Sequence, residues 1–155
     1  MDAKKMKKAA KAYSVMCKSL DEDKWKYIPV KEEYTVMYSE YNDEAGDVTC
    51  KYFIDAEREL VRFVAVLPVV FTQDQYVDAT VACCVLNNSL AFGGFSLHLK
   101  SGEICFNMAN AIHDGVPGKD FFKTFRLRTS AVIHKYAANF QKLQKGEIKI
   151  GDMAD

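Results

Sequence analysis

Hydrophobic and polar positions alternate with two different periods along the chain, and the changes of period predict its elements. Between residues 3 and 20, apolar residues recur at steps of three and four, with lysines on the remaining face. This spacing is typical of an amphipathic helix. Because many of these lysines crowd into the first turns, they oppose the helix dipole there. The chain therefore begins with an amphipathic helix that carries a basic face.

Strand-like runs with a period of two follow this helix. The clearest of them put alternate apolar residues on one face and are separated by turn-forming residues, which predicts an antiparallel meander. A short strand ended by Pro29 is expected before them, and Pro68 is expected to end the last run. The predicted strands lie at residues 25–28, 34–41, 48–55 and 60–67.

The next stretch predicts a central helix at about residues 72–91. Thr72 is a candidate N-cap, and Gln75 stands three residues later, as a capping box requires. Apolar residues occupy most of the circumference of this helix, so it must be covered on two sides. One cover would be the sheet of its own domain, and the other a second helix or another chain. The residues that we assign to a partner or dimer surface are Val77, Val81, Cys84, Val85 and Asn88.

A hairpin is predicted directly after the central helix. Gly93 and Gly94 suit the end of the helix, and Ser101-Gly102 suits a two-residue turn. That turn fixes the expected cross-strand pairs, which are Phe95 with Met108, Leu97 with Phe106, Leu99 with Ile104 and Lys100 with Glu103.

A long helix is predicted at residues 119–144, with Gly146 as its C-terminal stop. Its apolar stripe comprises Phe122, Phe125, Val132, Tyr136, Phe140 and Leu143. The complete order is α-β-β-β-β-α-β-β-α, an α+β fold in which the N-terminal, central and C-terminal helices pack on an antiparallel sheet. We expect residues 1–155 to form a single domain with its core at about residues 5–146, and residues 147–155 to form a flexible tail.

Charge is distributed unevenly although the formal net charge is zero. Acidic residues dominate residues 32–59, whereas residues 121–146 carry basic residues and no acidic ones. The basic residues of the last helix either face solvent or complement the acidic strands or an acidic partner. Tyr34, Tyr38, Tyr41 and Tyr52 could stack on nucleic-acid bases, but they lie in the acidic part, where phosphates are repelled. Nucleic acid is therefore a disfavoured partner.

Candidate chemistry is sparse. The five cysteines include no CxxC pair, which argues against a disulfide framework and a zinc knuckle and favours reduced thiols in the cytoplasm. His98, His113 and His134 match no metal-ligand spacing, and His113-Asp114 alone sets no catalytic geometry. A thiol enzyme would need an exposed cysteine with a lowered pKa, and mid-helix Cys83 or Cys84 does not suit that role. We therefore predict no catalytic residue, cofactor or metal, and no signal peptide or membrane span.

The chain resembles the YbjN-like family of small bacterial proteins over roughly residues 5–146. The resemblance rests on Trp25 at the start of the sheet, on Leu86-Asn87 followed by Gly93, Gly94 and Phe95, and on the aromatic residues of the last helix. The family looks related to the type III secretion chaperone-like fold, in which helices cover one side of a curved antiparallel sheet. The resemblance implies a cytoplasmic, non-enzymatic, sensory or regulatory protein that binds another polypeptide, often as a dimer through its central helix.

Two functional hypotheses follow. The first is a chaperone-like or regulatory module that holds a partner polypeptide through the apolar central helix or a sheet edge. The second is a domain that binds a small molecule or nucleotide between the glycines at the start of the hairpin and the loop around His113, because glycine allows close approach of the backbone. An exposed central helix would favour the first hypothesis.

Overall fold

The structure is a computed structural model that describes residues 2–154. Its elements follow the predicted order, so the predicted α+β fold class is confirmed. The helices are α1 (Ala3–Glu22), α2 (Tyr76–Ser89) and α3 (Lys119–Gln144). The strands are β1 (Ile28–Val30), β2 (Thr35–Asn42), β3 (Gly46–Asp55), β4 (Leu60–Val70), β5 (Gly94–His98) and β6 (Glu103–Ala111). Short 3₁₀ segments lie at Lys31–Glu33, Gln73–Gln75 and Ile150–Ala154.

All six strands join one antiparallel sheet in the order β1-β2-β3-β4-β6-β5. Side chains alternate between two faces, as the period of two predicts. The helices cover one face, which we call the core face, and the other is the open face. The predicted apolar faces of β3 and β4 lie on the core face, where Val48, Cys50, Tyr52, Ile54, Val61, Phe63, Ala65 and Leu67 are all buried.

Two prolines were assigned wrongly as strand ends. Pro29 lies inside β1, which begins at Ile28 rather than at residue 25, and Pro68 lies inside β4, which continues to Val70. A proline cannot donate to the sheet ladder and is therefore confined to edges and irregularities. Both positions meet this condition, because β1 is an edge strand and the β4–β6 register shifts between Val66 and Val70.

The predicted hairpin is present, but its turn and register are different. Leu97 pairs with Ile104 and Phe95 with Phe106, so the pairing is shifted by two residues from the prediction. The loop spans residues 99–102, and the amide of Gly102 donates to the carbonyl of His98 at 2.8 Å. Since a shift of two residues preserves the side-chain faces, the apolar face of the hairpin is correct although the pairs are wrong.

The predicted bounds of α3 and its stop at Gly146, which has a φ of 75°, are confirmed. The helix packs on the core face through an aromatic row that includes Phe122, Phe125 and Phe140. The Phe125 ring stacks on Tyr52 with centroids 5.5 Å apart. α1 packs beside α3, and Asp2 caps it by accepting from the Lys4 amide at 2.9 Å.

The prediction of a flexible tail is wrong for the described residues after Ile150. A 3₁₀ segment covers Ile150–Ala154, and Met153 is fully buried within the core cluster. This segment packs against α2 and α3, and the Asn139 side chain donates to the Met153 carbonyl at 3.3 Å. Asp155, the last residue of the predicted tail, lies outside the described residues.

Candidate protein-binding surface

The capping interaction predicted at Thr72 is present, but the predicted bounds of the central helix are wrong. α2 begins at Tyr76, and it ends at Ser89 with Leu90 in an extended conformation rather than at Gly93 and Gly94. The Thr72 amide donates to the Gln75 side-chain carbonyl at 3.1 Å, which completes the expected capping interaction. The 3₁₀ segment Gln73–Gln75 then leads into α2. α2 packs against β5 and against the C-terminal 3₁₀ segment.

The two sides of α2 have different surroundings although both are apolar. Residues at steps of three and four form its buried side, namely Ala79, Ala82, Cys83 and Leu86. Val77 is 73% exposed and Val81 is 41% exposed, which is high for valine side chains in a helix. Cys84 and Asn88 are also exposed, and Val85 is half-buried. We call these five residues, Val77, Val81, Cys84, Val85 and Asn88, the α2 surface.

The α2 surface carries little charge. Asp78 is the single ionisable carboxylate in the α2 sequence, and the helix contains no lysine or arginine. An uncharged apolar helix face is recognised by packing and dehydration, because it offers no charge to attract a ligand. The exposed Cys84 lies within this face, whereas burial raises the pKa of the neighbouring Cys83 thiol to about 12. Cys83 is therefore a core residue and does not suit a nucleophilic role.

Asn87 closes the edge of the sheet that lies beside α2. Its side-chain oxygen accepts from the Phe95 amide at 2.7 Å, and its side-chain nitrogen donates to the Phe95 carbonyl at 2.9 Å. The amide group thus takes the place of a neighbouring strand residue on β5. Covered edges resist pairing with other chains, so strand addition at β5 is blocked at Phe95.

The glycines at the start of the hairpin have a packing explanation. Gly93 has a φ of 65°, and a Cβ atom there would lie 2.5 Å from the Phe106 ring. A side chain at Gly94 would contact the Asn87 amide at 3.3 Å. The close approach that suggested a ligand is therefore made by the protein's own side chains. His113 lies elsewhere, with its Nδ1 3.6 Å from Glu59 Oε2.

The remaining candidate residues are dispersed. His98 contacts Ser101 in the hairpin loop, and His134 lies 3.5 Å from Glu40 on the other side of the core. Among residues 2–154, no group of three or more His, Cys, Asp or Glu residues is placed to hold a metal ion. The four tyrosines form no common platform, because Tyr38 and Tyr52 are buried while Tyr41 is exposed.

Part of the uneven charge is used inside the protein. Lys142 of α3 pairs with Glu44 at 3.0 Å, which agrees with the hypothesis that α3 complements the acidic strands. Other basic residues of α3 pair with the end of α1, where Lys123 contacts Asp23 at 2.8 Å. Lys8 of α1 pairs with Glu59 at 2.8 Å. Each surface ion pair of this kind contributes little to the stability of the fold. Together the pairs neutralise charges that could otherwise attract a partner.

Arg126 is a site that the sequence pattern did not identify. Its side chain is buried, pairs with Asp23, and lies over the Trp25 ring at 4.4 Å. The hydrogen bond from Lys123, together with the charges of Lys123 and Arg126, holds the pKa of Asp23 below its ordinary value. Trp25 in turn contacts the Tyr38 ring edge-on at 5.6 Å. The cluster joins α1, α3 and β2, which is the structural role that we assign to it.

Comparison with known proteins places the fold. No protein-family model matches the chain, and no curated protein matches it by sequence. Within the part of the chain that is described, no helix combines the length and the hydrophobicity needed to cross a membrane. Solved structures do match.

One similar structure is that of YbjN, "a putative transcription regulator", from E. coli. It has a TM-score of 0.66 and 13% identity, and the match covers 84% of this chain and 92% of that chain. A second is the ExsC-ExsE complex, with a TM-score of 0.57, 18% identity, and coverage of 93% of this chain and 97% of that chain. The expected likeness to the YbjN-like and type III secretion chaperone-like folds is thereby confirmed at the level of fold.

Proposed function

We propose that the protein is a non-enzymatic polypeptide-binding module, chaperone-like or regulatory, that works in the cytoplasm of a bacterium. The observation that carries this proposal is the α2 surface, where Val77 and Val81 are exposed on a helix whose opposite side is fully packed. Exposed apolar faces of this kind mark sites where another protein excludes water.

The structural neighbours support the same class of function. One is described as a candidate regulator, and the other was solved as a complex between two proteins. Both likenesses are at low sequence identity, so they support the fold directly and the function by analogy. Five free cysteines agree with a reducing compartment.

The chemistry of the α2 surface defines its occupant. An apolar, uncharged helical segment of another polypeptide fits a face that offers valine side chains and few charges. A second copy of this chain is the simplest such partner, because it brings an identical uncharged face and a two-fold axis makes the contact self-complementary. We therefore propose a homodimer through α2 as one form of this binding.

The test is the molar mass of the protein by light scattering, combined with its double variant Val77→Asp/Val81→Asp. We expect a dimer for the unchanged chain and, for the variant, a monomer that keeps the circular dichroism spectrum of the folded protein, because both positions are exposed in the single chain. The variant should also lose the part of the thermal stability that depends on protein concentration. Leu127→Asp on α3 is the matched control, since Leu127 is also an exposed apolar residue on a helix. A monomeric unchanged chain that gains no protein partner on purification from its host would contradict the proposal.

A depression near the hairpin supports a second candidate function, small-molecule binding. It measures about 330 Å³ and is lined by residues that include Asp120, Phe121 and Arg128. The Arg128 guanidinium also lies 5.7 Å from the Phe92 ring just before the glycines. Screening a panel of nucleotides and metabolites for a rise in unfolding temperature tests this candidate. A rise that Arg128→Leu abolishes would support it, and a flat panel would reject it.

A further inference from the structure

The edge of the sheet at β2 is open over its second half. β1 pairs with residues Thr35 to Met37 of β2, whereas β2 continues to Asn42. The chain before β1 turns away towards α1, where Trp25 packs on Tyr38 from the core side. No described strand therefore lies beside β2 between residues 38 and 42 on the side away from β3.

Pro29 shows which backbone groups face this open edge. In an antiparallel pair, residues that exchange both hydrogen bonds alternate with residues that exchange none. Pro29 has no N–H, so its pair with Val36 cannot exchange both bonds, and the pair of Ile28 with Met37 must be an exchanging one. The N–H and C=O groups of Ser39 and Tyr41 point in the same direction as those of Met37. Among the described residues, no backbone bond from outside the sheet reaches them.

The two edges of the sheet thus differ in whether their outward backbone N–H and C=O groups have hydrogen-bond partners. At β5, the Asn87 amide occupies both backbone groups of Phe95. At β2, Ser39 and Tyr41 are exposed residues, and their backbone donors and acceptors form a row that matches one extended segment. Unpaired edge groups of this kind are templates for pairing with another chain.

An apolar depression of about 420 Å³ adjoins this row on the open face. Its lining includes Tyr27, Ile28, Met37 and Thr49. Ile28 is 69% exposed and Met37 is 38% exposed, so apolar surface is available there. A residue that pairs with Ser39 would place its side chain on the same face as Ser39, beside the depression. The backbone row and the apolar depression therefore suit the same ligand.

Charge defines the two ends of the site. Lys26 lines the depression, whereas exposed Asp43 lies in the turn beyond Tyr41. Exposed Asp47 lies opposite Tyr41 on β3, where its carboxylate accepts from the Ser39 hydroxyl at 3.3 Å. Glu44, in the same turn as Asp43, is already paired with Lys142. A basic residue on the ligand is therefore favoured over the turn.

We propose that the β2 edge at Ser39–Tyr41 binds an extended peptide segment of a partner protein by β-strand addition. An apolar side chain of the peptide fills the depression at Ile28 and Met37, and a basic residue lies near Asp43 and Asp47. This inference rests on the proposed polypeptide binding and adds a second site to it. Strand addition supplies affinity through backbone bonds, and the depression supplies selectivity.

The test uses short peptides selected from a random displayed library on the full chain. We expect the selected peptides to alternate apolar and polar residues and to include a lysine or arginine. Binding of a fluorescein-labelled peptide should weaken at least about tenfold for Met37→Lys and for Tyr41→Pro. Tyr41→Pro removes an outward N–H and leaves the bonds to β3, and Met37→Lys leaves the backbone unchanged. In the unchanged chain, bound peptide should slow hydrogen exchange at the Ser39 and Tyr41 amides.

The double variant Val77→Asp/Val81→Asp separates this inference from the proposed function. We expect it to bind the peptide with unchanged affinity. Peptides that bind both edge variants normally, or leave the Ser39 and Tyr41 amides unprotected, would overturn strand addition at β2. If such peptides fail to bind the Val77→Asp/Val81→Asp variant instead, the proposed polypeptide binding at the α2 surface is supported and the β2 site is rejected. A library that yields no peptide would also reject the β2 site.

Discussion

Arg126 shows how a single charged residue can hold a core together. Arg126 is 3% exposed, yet its guanidinium contacts a carboxylate and an aromatic face, and both attract a positive charge. Asp23 and Trp25 precede β1, whereas Arg126 lies on α3, so the cluster joins distant parts of the chain. Its main effect is therefore on the stability of the α1–α3 contact.

We predict that Arg126→Leu lowers the free energy of unfolding by about 2 kcal/mol, the usual contribution of a hydrogen bond to a charged group. Urea unfolding followed by circular dichroism measures this change, and the slope of the transition should stay the same. Arg128→Leu is the control, because Arg128 lies on the same helix but is exposed. Among the described residues, the one aromatic ring that it contacts is that of Phe92. Equal losses in the two variants would contradict the structural role of Arg126.

Periodicity could not reveal such residues. The stripe predicted for α3 included Phe125 and Val132, which are indeed buried. It left every arginine outside the stripe, either facing solvent or complementing the acidic strands or an acidic partner. The angle of a residue around the helix axis decides which part of the protein its side chain meets. Arg126 lies at an angle that faces Trp25 and Asp23. The same limit applies to Glu40, a buried carboxylate that accepts from Ser130 at 2.7 Å. Partners far apart in sequence decide whether a charge can be buried.

Contacts between a helix and a strand edge decide which surfaces remain available. Asn87 is on α2, and its amide completes the hydrogen bonding of β5, so helix and edge are held as a unit. The sequence did mark Asn87, as part of the Leu-Asn pattern before the glycines, but it did not indicate what the side chain does. The geometry assigns it the protection of the edge.

We predict that Asn87→Asp lowers the free energy of unfolding by about 1–2 kcal/mol and opens the β5 edge. The aspartate retains the acceptor for the Phe95 amide but replaces the donor with an oxygen facing the Phe95 carbonyl. Hydrogen exchange at β5 and light scattering on heating report the two effects. Asn110→Asp, at an exposed position of β6 outside the α2 surface, should leave both readouts near those of the unchanged protein.

The ion pair between Lys8 and Glu59 fixes α1 to the turn between β3 and β4, and it makes that contact sensitive to pH. The hydrogen bond from Lys8 is the main reason why the pKa of Glu59 lies below its ordinary value of 4.5. A carboxylate with a lowered folded-state pKa contributes its full stability above the unfolded value. That contribution is lost as the pH falls through the folded value.

We therefore predict that Glu59→Gln is less stable than the unchanged protein at neutral pH and that the difference disappears as the pH falls well below 4.5. Unfolding midpoints measured across this range test the sign. Glu57→Gln, an exposed position in the same turn, is the control. A difference that stays constant with pH would mean that the effect of Glu59 is independent of its charge.

Several elements were predicted well because their signals are local. The cap at Thr72, the stop at Gly146 and the alternation in β3 are each set by a few neighbouring residues. The register of the hairpin was not predicted correctly. Loops of two and of four residues give the same alternation of side chains, and both can place Gly102 in the turn. Its φ is 76°, and contact with Phe71 favours the longer loop. Such a contact between separate segments is invisible in the sequence.

The C-terminal segment belongs to the core of the whole molecule. Met153 is fully buried, and the 3₁₀ segment around it packs on α2 and α3. This cover supports the inner flank of α2, so the α2 surface is the side that remains exposed. A single methionine in a polar stretch gives no periodic signal, which is why the sequence suggested a flexible tail.

We predict that Met153→Ala lowers the free energy of unfolding by about 3 kcal/mol, because a buried side chain is replaced by a cavity. Calorimetric or urea unfolding measures the loss, and Lys149→Ala serves as the exposed control. A flexible tail would instead give two variants of equal stability. Loosening of α2 should accompany the loss and appear as faster hydrogen exchange at its amides.

The position of α3 also determines the order in which the chain can fold during synthesis. The buried partners of β2 and β3 lie on this last long helix, as in the contacts of Tyr52 with Phe122 and of Asn42 with His134. Long-range contacts of this kind form late. Until residues 119–144 have left the ribosome, the part of the core face that α3 covers stays exposed to solvent. The nascent chain therefore carries apolar surface that is prone to aggregation until α3 has packed on the sheet.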